Sequence, residues 1–171
     1  MISNKLLIAL KTIHEKLKDE KINWVLIGST NLALQGIKIK PKDIDILTDK
    51  KGAFEINKLL KEYEVKPVRF SNSKLFGPQY FGEFKIRGIK VEVMGKLKKK
   101  KLVTKIVKID GMSLPVVSLE EEFKAYEALG REKDFNKIKK NKEFFKKEKV
   151  KDLNLLRMFY VFFQSSFQSF K

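Results

Sequence analysis

The chain predicts an α/β fold: a mixed twisted sheet with helices against it, followed by a helical C-terminal portion. Three observations carry that reading. Short apolar, β-branched runs such as Trp24–Ile27 alternate with segments of helical period. Two pairs of alternating segments are joined by Arg87-Gly88 and by Asp110-Gly111, and Asp-Gly between alternating strands is a strong hairpin signal. From Ser118 the period turns helical.

Taken in order, Asn4–Lys18 reads as an amphipathic helix, with Leu6, Leu7, Leu10, Ile13 and Leu17 at helical spacing and Ser3 as its N-cap. His14, the only histidine, adjoins that stripe; with no second histidine and no cysteine it lacks the partners of a zinc site. Trp24–Ile27 is a buried strand, Gly28-Ser29 breaks it, and Thr30–Leu34 restarts as a short helix ended by Gln35-Gly36. After a connection through Pro41, Asp43–Leu47 is a second strand. Gly52–Tyr63 has helical spacing of Phe54, Ile56, Leu59, Leu60 and Tyr63, with Asp49 or a neighbour starting it. Val65–Phe70 is a strand, and the polar, turn-rich Ser71–Pro78 is expected to be a loop. The hairpin strands are Tyr80–Ile86 with Ile89–Met94, and Leu102–Ile109 with Met112–Val117. Between the hairpins, Lys96–Lys101 is a charged connection or a lysine-guarded edge; a phosphate-contacting patch is the alternative. Ser118 and Glu121 fit a capping box for a helix Glu120–Leu129 that stops at Gly130. Lys137–Lys151 is a lysine-rich helix, and Leu153–Phe170 is aromatic and nearly free of acids. The division expected is a core over residues 1–117 and a C-terminal helical portion over residues 118–171, packed on the same domain.

Chemistry concentrates in residues 24–48. A strand end meeting a helix N-terminus at Gly28-Ser29 offers unpaired backbone N–H groups and the positive end of a helix dipole, which suit an anion. Side chains two apart leave a strand on one face, so Asp43 and Asp45 point together while Ile44 and Ile46 enter the core. Two adjacent carboxylates do not both stay ionised without a cation, and Mg²⁺ prefers one or two carboxylates plus substrate phosphates. The pattern reads as a nucleoside-triphosphate site; ordinary surface acids beside a turn are the plainer alternative.

A Gly-Ser turn, a short helix and then Asp-x-Asp on the next strand resemble the DNA polymerase beta superfamily of nucleotidyltransferases. The likeness is to its small stand-alone members, among them antibiotic-modifying enzymes and toxins of toxin–antitoxin pairs. It spans roughly residues 22–140. The family pattern asks for a third carboxylate on a later strand. Glu92, flanked by Val91 and Val93, fits it, while Asp110 has a sufficient structural task in its turn. Paired with Lys90, Glu92 is alternatively a plain solvent-facing residue. The resemblance implies transfer of an NMP from an NTP to an acceptor hydroxyl, with release of pyrophosphate. Asp43, Asp45 and Glu92 would serve two Mg²⁺ or Mn²⁺ ions, and Gly28 and Ser29 the distal phosphate. It also makes Lys124 and Arg131 candidates for triphosphate contacts, with Lys133 and Asp134 a cleft-facing or structural pair. The acceptor it allows is a small molecule, a protein side chain or a tRNA end.

Composition narrows the classes further. The absence of cysteine excludes disulfides and thiolate metal or redox sites. A formal charge of +17, almost all of its excess from lysine, is read first as solvated surface, but such a field draws polyanions, NTPs included. A basic, non-catalytic or antitoxin-like nucleic-acid-binding protein of the same fold is therefore the rival expectation. With no signal-like segment and an apolar run, Met158–Phe163, too short to cross a bilayer, the chain is expected to be cytoplasmic. The aromatic tail makes a homodimer a further expectation.

Overall fold

The computed structural model describes residues 2–73, 77–96 and 104–128. The chain divides into two units, Met1–Phe135 and Asn136–Lys171, and all described residues belong to the first. The expected helix at Lys137–Lys151, the aromatic tail and Arg131, Lys133 and Asp134 lie outside the described residues.

In chain order the elements are α1 (Asn4–Leu17), β1 (Trp24–Ile27), α2 (Gly28–Leu34), β2 (Asp43–Asp49) and α3 (Lys50–Leu59). A 3-10 turn at Lys61–Tyr63 leads to β3 (Glu64–Ser73), β4 (Gly77–Ile86), β5 (Ile89–Lys96), β6 (Thr104–Ile109), β7 (Met112–Val117) and α4 (Leu119–Ala128). The seven strands form one sheet in the order β3-β4-β5-β2-β1-β7-β6. It is mixed as expected: β1 runs parallel to β7 and β2 parallel to β5, while the other pairs are antiparallel.

Local sequence accounts for most of these elements. Ser3 caps α1, its Oγ accepting from the Leu6 N–H at 3.3 Å, and Leu6, Ala9, Leu10, Ile13 and Leu17 form the buried stripe. That stripe packs against Leu26, Ile44, Ile46, Val91, Val93, Leu114 and Val116, so one face of the sheet is the core. Asp49 caps α3 through the Gly52 N–H at 2.8 Å. Both tight hairpins have two consecutive positive φ values, 51° and 83° at Arg87-Gly88 and 48° and 75° at Asp110-Gly111. Those are the values a type I′ turn needs to match the strand twist. Asp110 therefore sits in a hairpin turn, as its turn role requires.

Two expectations need correction. Gly52–Tyr63 is not one helix: α3 stops at Leu59, and the path to β3 is a 3-10 turn. Ser71–Pro78 is not a loop either, since Ser71, Asn72 and Ser73 pair with Gln79, Pro78 and Gly77 as the outer ends of β3 and β4. Backbone ladder bonds, rather than apolar side chains, define this ribbon, so polar residues there do not signal a break.

His14 is packed between α1 and β7, 13% exposed, with the Ser113 N–H 3.4 Å from its Nε2. No helix among the described residues is long and apolar enough to cross a membrane.

Candidate active site

The period of β2 puts Asp43, Asp45 and Leu47 half-buried on the face away from α1, and Ile44, Ile46 and Thr48 into the core. The parallel register with β5 then sets Glu92 beside Asp45 and Lys90 beside Asp43. On the other side, antiparallel pairing places Ile27, the last residue of β1, beside Asp45. The Gly28-Ser29 turn follows immediately, so turn and carboxylates meet at one point of the sheet.

The turn touches both aspartates. The Ser29 hydroxyl donates to Asp43 Oδ1 at 3.4 Å, and the Thr30 hydroxyl to the Asp43 carbonyl at 2.6 Å. Gly28 has φ +71°, and a Cβ there would overlap Asp45 Oδ2. Glycine is required twice over, by backbone conformation and by approach to the acid.

Electrostatics shows what the crowding does. Burial pushes the Asp45 carboxyl up to about 7, and the neighbouring charges of Asp43 and Glu92, a hydrogen bond with Glu92 and the charge of Glu122 push the same way. Glu92 is steadied from its other side, because Lys90 Nζ lies 2.7 Å from its Oε1 and is itself held protonated by that contact. Glu92 thus stands next to Asp45 and is also paired with Lys90, so both readings of it describe part of its surroundings. Among the described residues no three Asp, Glu or His side chains are placed to hold a metal ion by themselves.

The unpaired N–H expected at Gly28 is a further correction: it donates to Glu122 Oε1 at 2.8 Å. Glu122, 4% exposed on α4, also accepts from Asn31 Nδ2 at 2.6 Å through its Oε2. Sequence reasoning missed it, because Glu120, Glu121 and Glu122 look like one acidic first turn. The signal was spacing: Leu119, Glu122 and Tyr126 are the buried residues of α4, so an acid occupies an apolar-stripe position. The capping box is present, with the Glu121 N–H 3.3 Å from Ser118 Oγ. Lys124 stands about 200° around the helix from Glu122. It is exposed and its Nζ is 2.7 Å from Glu120 Oε1. The structure therefore gathers Gly28, Ser29, Asp43, Asp45 and Glu92, and sets Lys124 on the outer side of α4.

Two parallel strands thus carry facing acids, with a Gly-Ser turn against them, in a seven-stranded mixed sheet. The family model described as aminoglycoside-2''-adenylyltransferase matches residues 9–141, and the chain belongs to that family. A crystal structure of a Thermotoga maritima protein, provisionally described as a nucleotidyltransferase, is 40% identical over 82% of this chain and 94% of its own, with a TM-score of 0.71. The solution structure of the antibiotic-resistance factor ANT(2'')-Ia matches at 9% identity over 89% of this chain and 97% of that one, with a TM-score of 0.49. The crystal structure of ANT(2'')-Ia with adenylyl-2''-tobramycin matches at 9% identity over 83% and 98%, with a TM-score of 0.47. No curated protein sequence matches significantly. The chain is a nucleotidyltransferase, and hence an enzyme.

Proposed function

We propose that the chain moves AMP from ATP to a hydroxyl of a small-molecule acceptor, with release of pyrophosphate, in a reaction that needs a divalent cation. The observation that carries this is the register of β2 and β5, which sets Glu92 against Asp45 while Ser29 reaches Asp43. ATP as donor and an aminoglycoside-like acceptor are supported by the description of the family alone.

The donor set fits Mg²⁺ or Mn²⁺. Asp43 and Glu92 both stand against Asp45, whose carboxyl is pushed toward its neutral form by burial first and by those two charges next. They close no cage of their own, and Mg²⁺ is commonly held by one or two carboxylates with substrate phosphates supplying the rest. Asp43, Asp45 and Glu92 would hold the metal as it arrives with the nucleotide. When bound, a pair of such ions supplies Lewis-acid stabilisation of the charge on the attacking and departing oxygens.

The chain's own residues do the remaining work. Ser29, with its own backbone N–H, holds the distal phosphate and so aligns the α-phosphorus with the acids, the Gly28 N–H being taken by Glu122. Glu92 accepts the acceptor's hydroxyl proton, and Lys90 fixes its orientation beforehand. The new bond joins the acceptor oxygen to the α-phosphorus, the bond to the bridging oxygen of the β-phosphate breaks, and pyrophosphate leaves. Residues 1–117 bear all three carboxylates and constitute the catalytic core, with residues 118–171 as the C-terminal portion.

The test is transfer of label from [α-³²P]ATP with Mg²⁺ or Mn²⁺ to a panel of aminoglycosides, with RNA and protein as comparison acceptors. Labelled aminoglycoside and stoichiometric pyrophosphate, both lost in Asp45→Asn, are expected. Label only in RNA or protein would reject a small-molecule acceptor.

A further inference from the structure

We propose that Glu122 is a positioning residue for the nucleotide. Its buried carboxylate clamps the Gly28 end of α2 and makes nucleotide affinity depend on α4. This rests on the nucleotidyltransferase reading above and adds a fourth acid to it, one that acts through Gly28 and Asn31.

The hydrogen-bond directions define what residue 122 must be. Asn31 Nδ2 donates both to Glu122 Oε2 at 2.6 Å and to the Val117 carbonyl at 3.0 Å. Asn31 Oδ1 accepts from Gln35 Nε2 at 2.6 Å, and Gln35 Nε2 reaches the Val117 carbonyl as well, at 2.8 Å. The orientation of the Asn31 amide is thereby set, and it presents a donor to residue 122. Gly28 presents a second donor, its N–H. Only a side chain with two acceptor atoms satisfies both, which a carboxylate does and an amide does not. A hydrophobe of equal size would leave two buried donors unpaired.

The clamp bears directly on the reaction centre. Gly28 lies between Glu122, which holds its N–H, and Asp45, whose Oδ2 fills the space a Cβ would take. Ser29, the next residue, is on Asp43. A shift of the turn by a few tenths of an ångström alters both aspartate contacts at once. Val117 and Glu122 flank the start of α4, so the network ties the end of β7, the start of α4 and the length of α2 into one unit. The charge of Glu122 also reaches Asp45, which places it within electrostatic range of the site.

The experiment is isothermal titration of Mg²⁺·ATP into the full chain, with Tm recorded for each variant. Glu122→Gln turns a donor toward Asn31 or Gly28, and is expected to weaken Mg²⁺·ATP by about 10-fold or more while the protein stays folded at the assay temperature. The double variant Asn31→Asp/Glu122→Gln reverses the donor and acceptor across that contact. The amide introduced on α4 then accepts from the Gly28 N–H and donates to the carboxylate introduced on α2, while the Val117 carbonyl loses its donor from residue 31 and keeps Gln35. Affinity is expected to recover in part, to a value above that of Glu122→Gln and below wild type. Should Glu122→Gln fail to fold, Asn31→Ala removes one leg of the clamp and is expected to weaken binding about 3-fold. Wild-type affinity in a folded Glu122→Gln or Asn31→Ala protein, or a double variant that regains Tm but not affinity, would overturn the inference. If wild type itself binds no Mg²⁺·ATP, the nucleotide site of the preceding section falls and this inference falls with it.

Discussion

On the proposed function, Asp45 is the residue at which stability and activity conflict. It is largely removed from water and, secondarily, set among the charges of Asp43, Glu92 and Glu122, so its ionised form is disfavoured in the folded protein without a cation. Replacing it with Asn removes a like charge while keeping shape. In EDTA, Asp45→Asn should therefore raise Tm by roughly 5 °C while abolishing transfer, as read by calorimetry and label transfer on the same preparation. A fall in Tm would mean that the acid cluster is not strained. Gly28→Ala acts in the opposite direction. A methyl group at φ +71° against Asp45 Oδ2 should cost about 2 kcal/mol or more in denaturant melts and weaken nucleotide binding as well. What was legible at this scale was the pair Asp43 and Asp45, because a period of two needs no tertiary information. Glu122 was hidden by its acidic neighbours, and its direction became plain only when the Leu119 and Tyr126 positions were seen to point inward.

The elements show which local signals survive folding. α1 was readable from its stripe and cap, and the two tight hairpins from their dipeptides, because each is settled by residues within a few positions. The facing of Asp45 and Glu92 was not readable from spacing alone. It depends on β2 and β5 pairing in parallel, across a separation in sequence that contains α3, β3 and β4. The outer ends of β3 and β4 were missed because ladder bonds between polar residues leave no hydrophobic trace. α1 itself supplies a test of where the core lies. Leu10 is fully buried among sheet residues, so Leu10→Ala should cost about 3 kcal/mol in urea unfolding with the m-value unchanged. A cost below about 1 kcal/mol would mean that α1 does not close the core face.

At the scale of the whole molecule, the sheet separates two tasks. One face takes the apolar side of α1 and α3 and supplies rigidity, while the other displays the carboxylates beside the turn. The formal charge of +17 gives the chain as a whole a positive field that attracts an anionic nucleotide. The association rate of Mg²⁺·ATP, followed by stopped flow with a fluorescent analogue, should accordingly fall about 10-fold as salt rises from low to molar levels. A salt-independent rate would show that the lysines play no part in capture. The most direct test of the central claim is titration of Mg²⁺·ATP into wild type and into Asp43→Asn/Asp45→Asn, each verified as folded. Metal-dependent binding in wild type that vanishes in the double variant is the predicted result; equal binding by both proteins would contradict the assignment of these aspartates to the nucleotide and its metal.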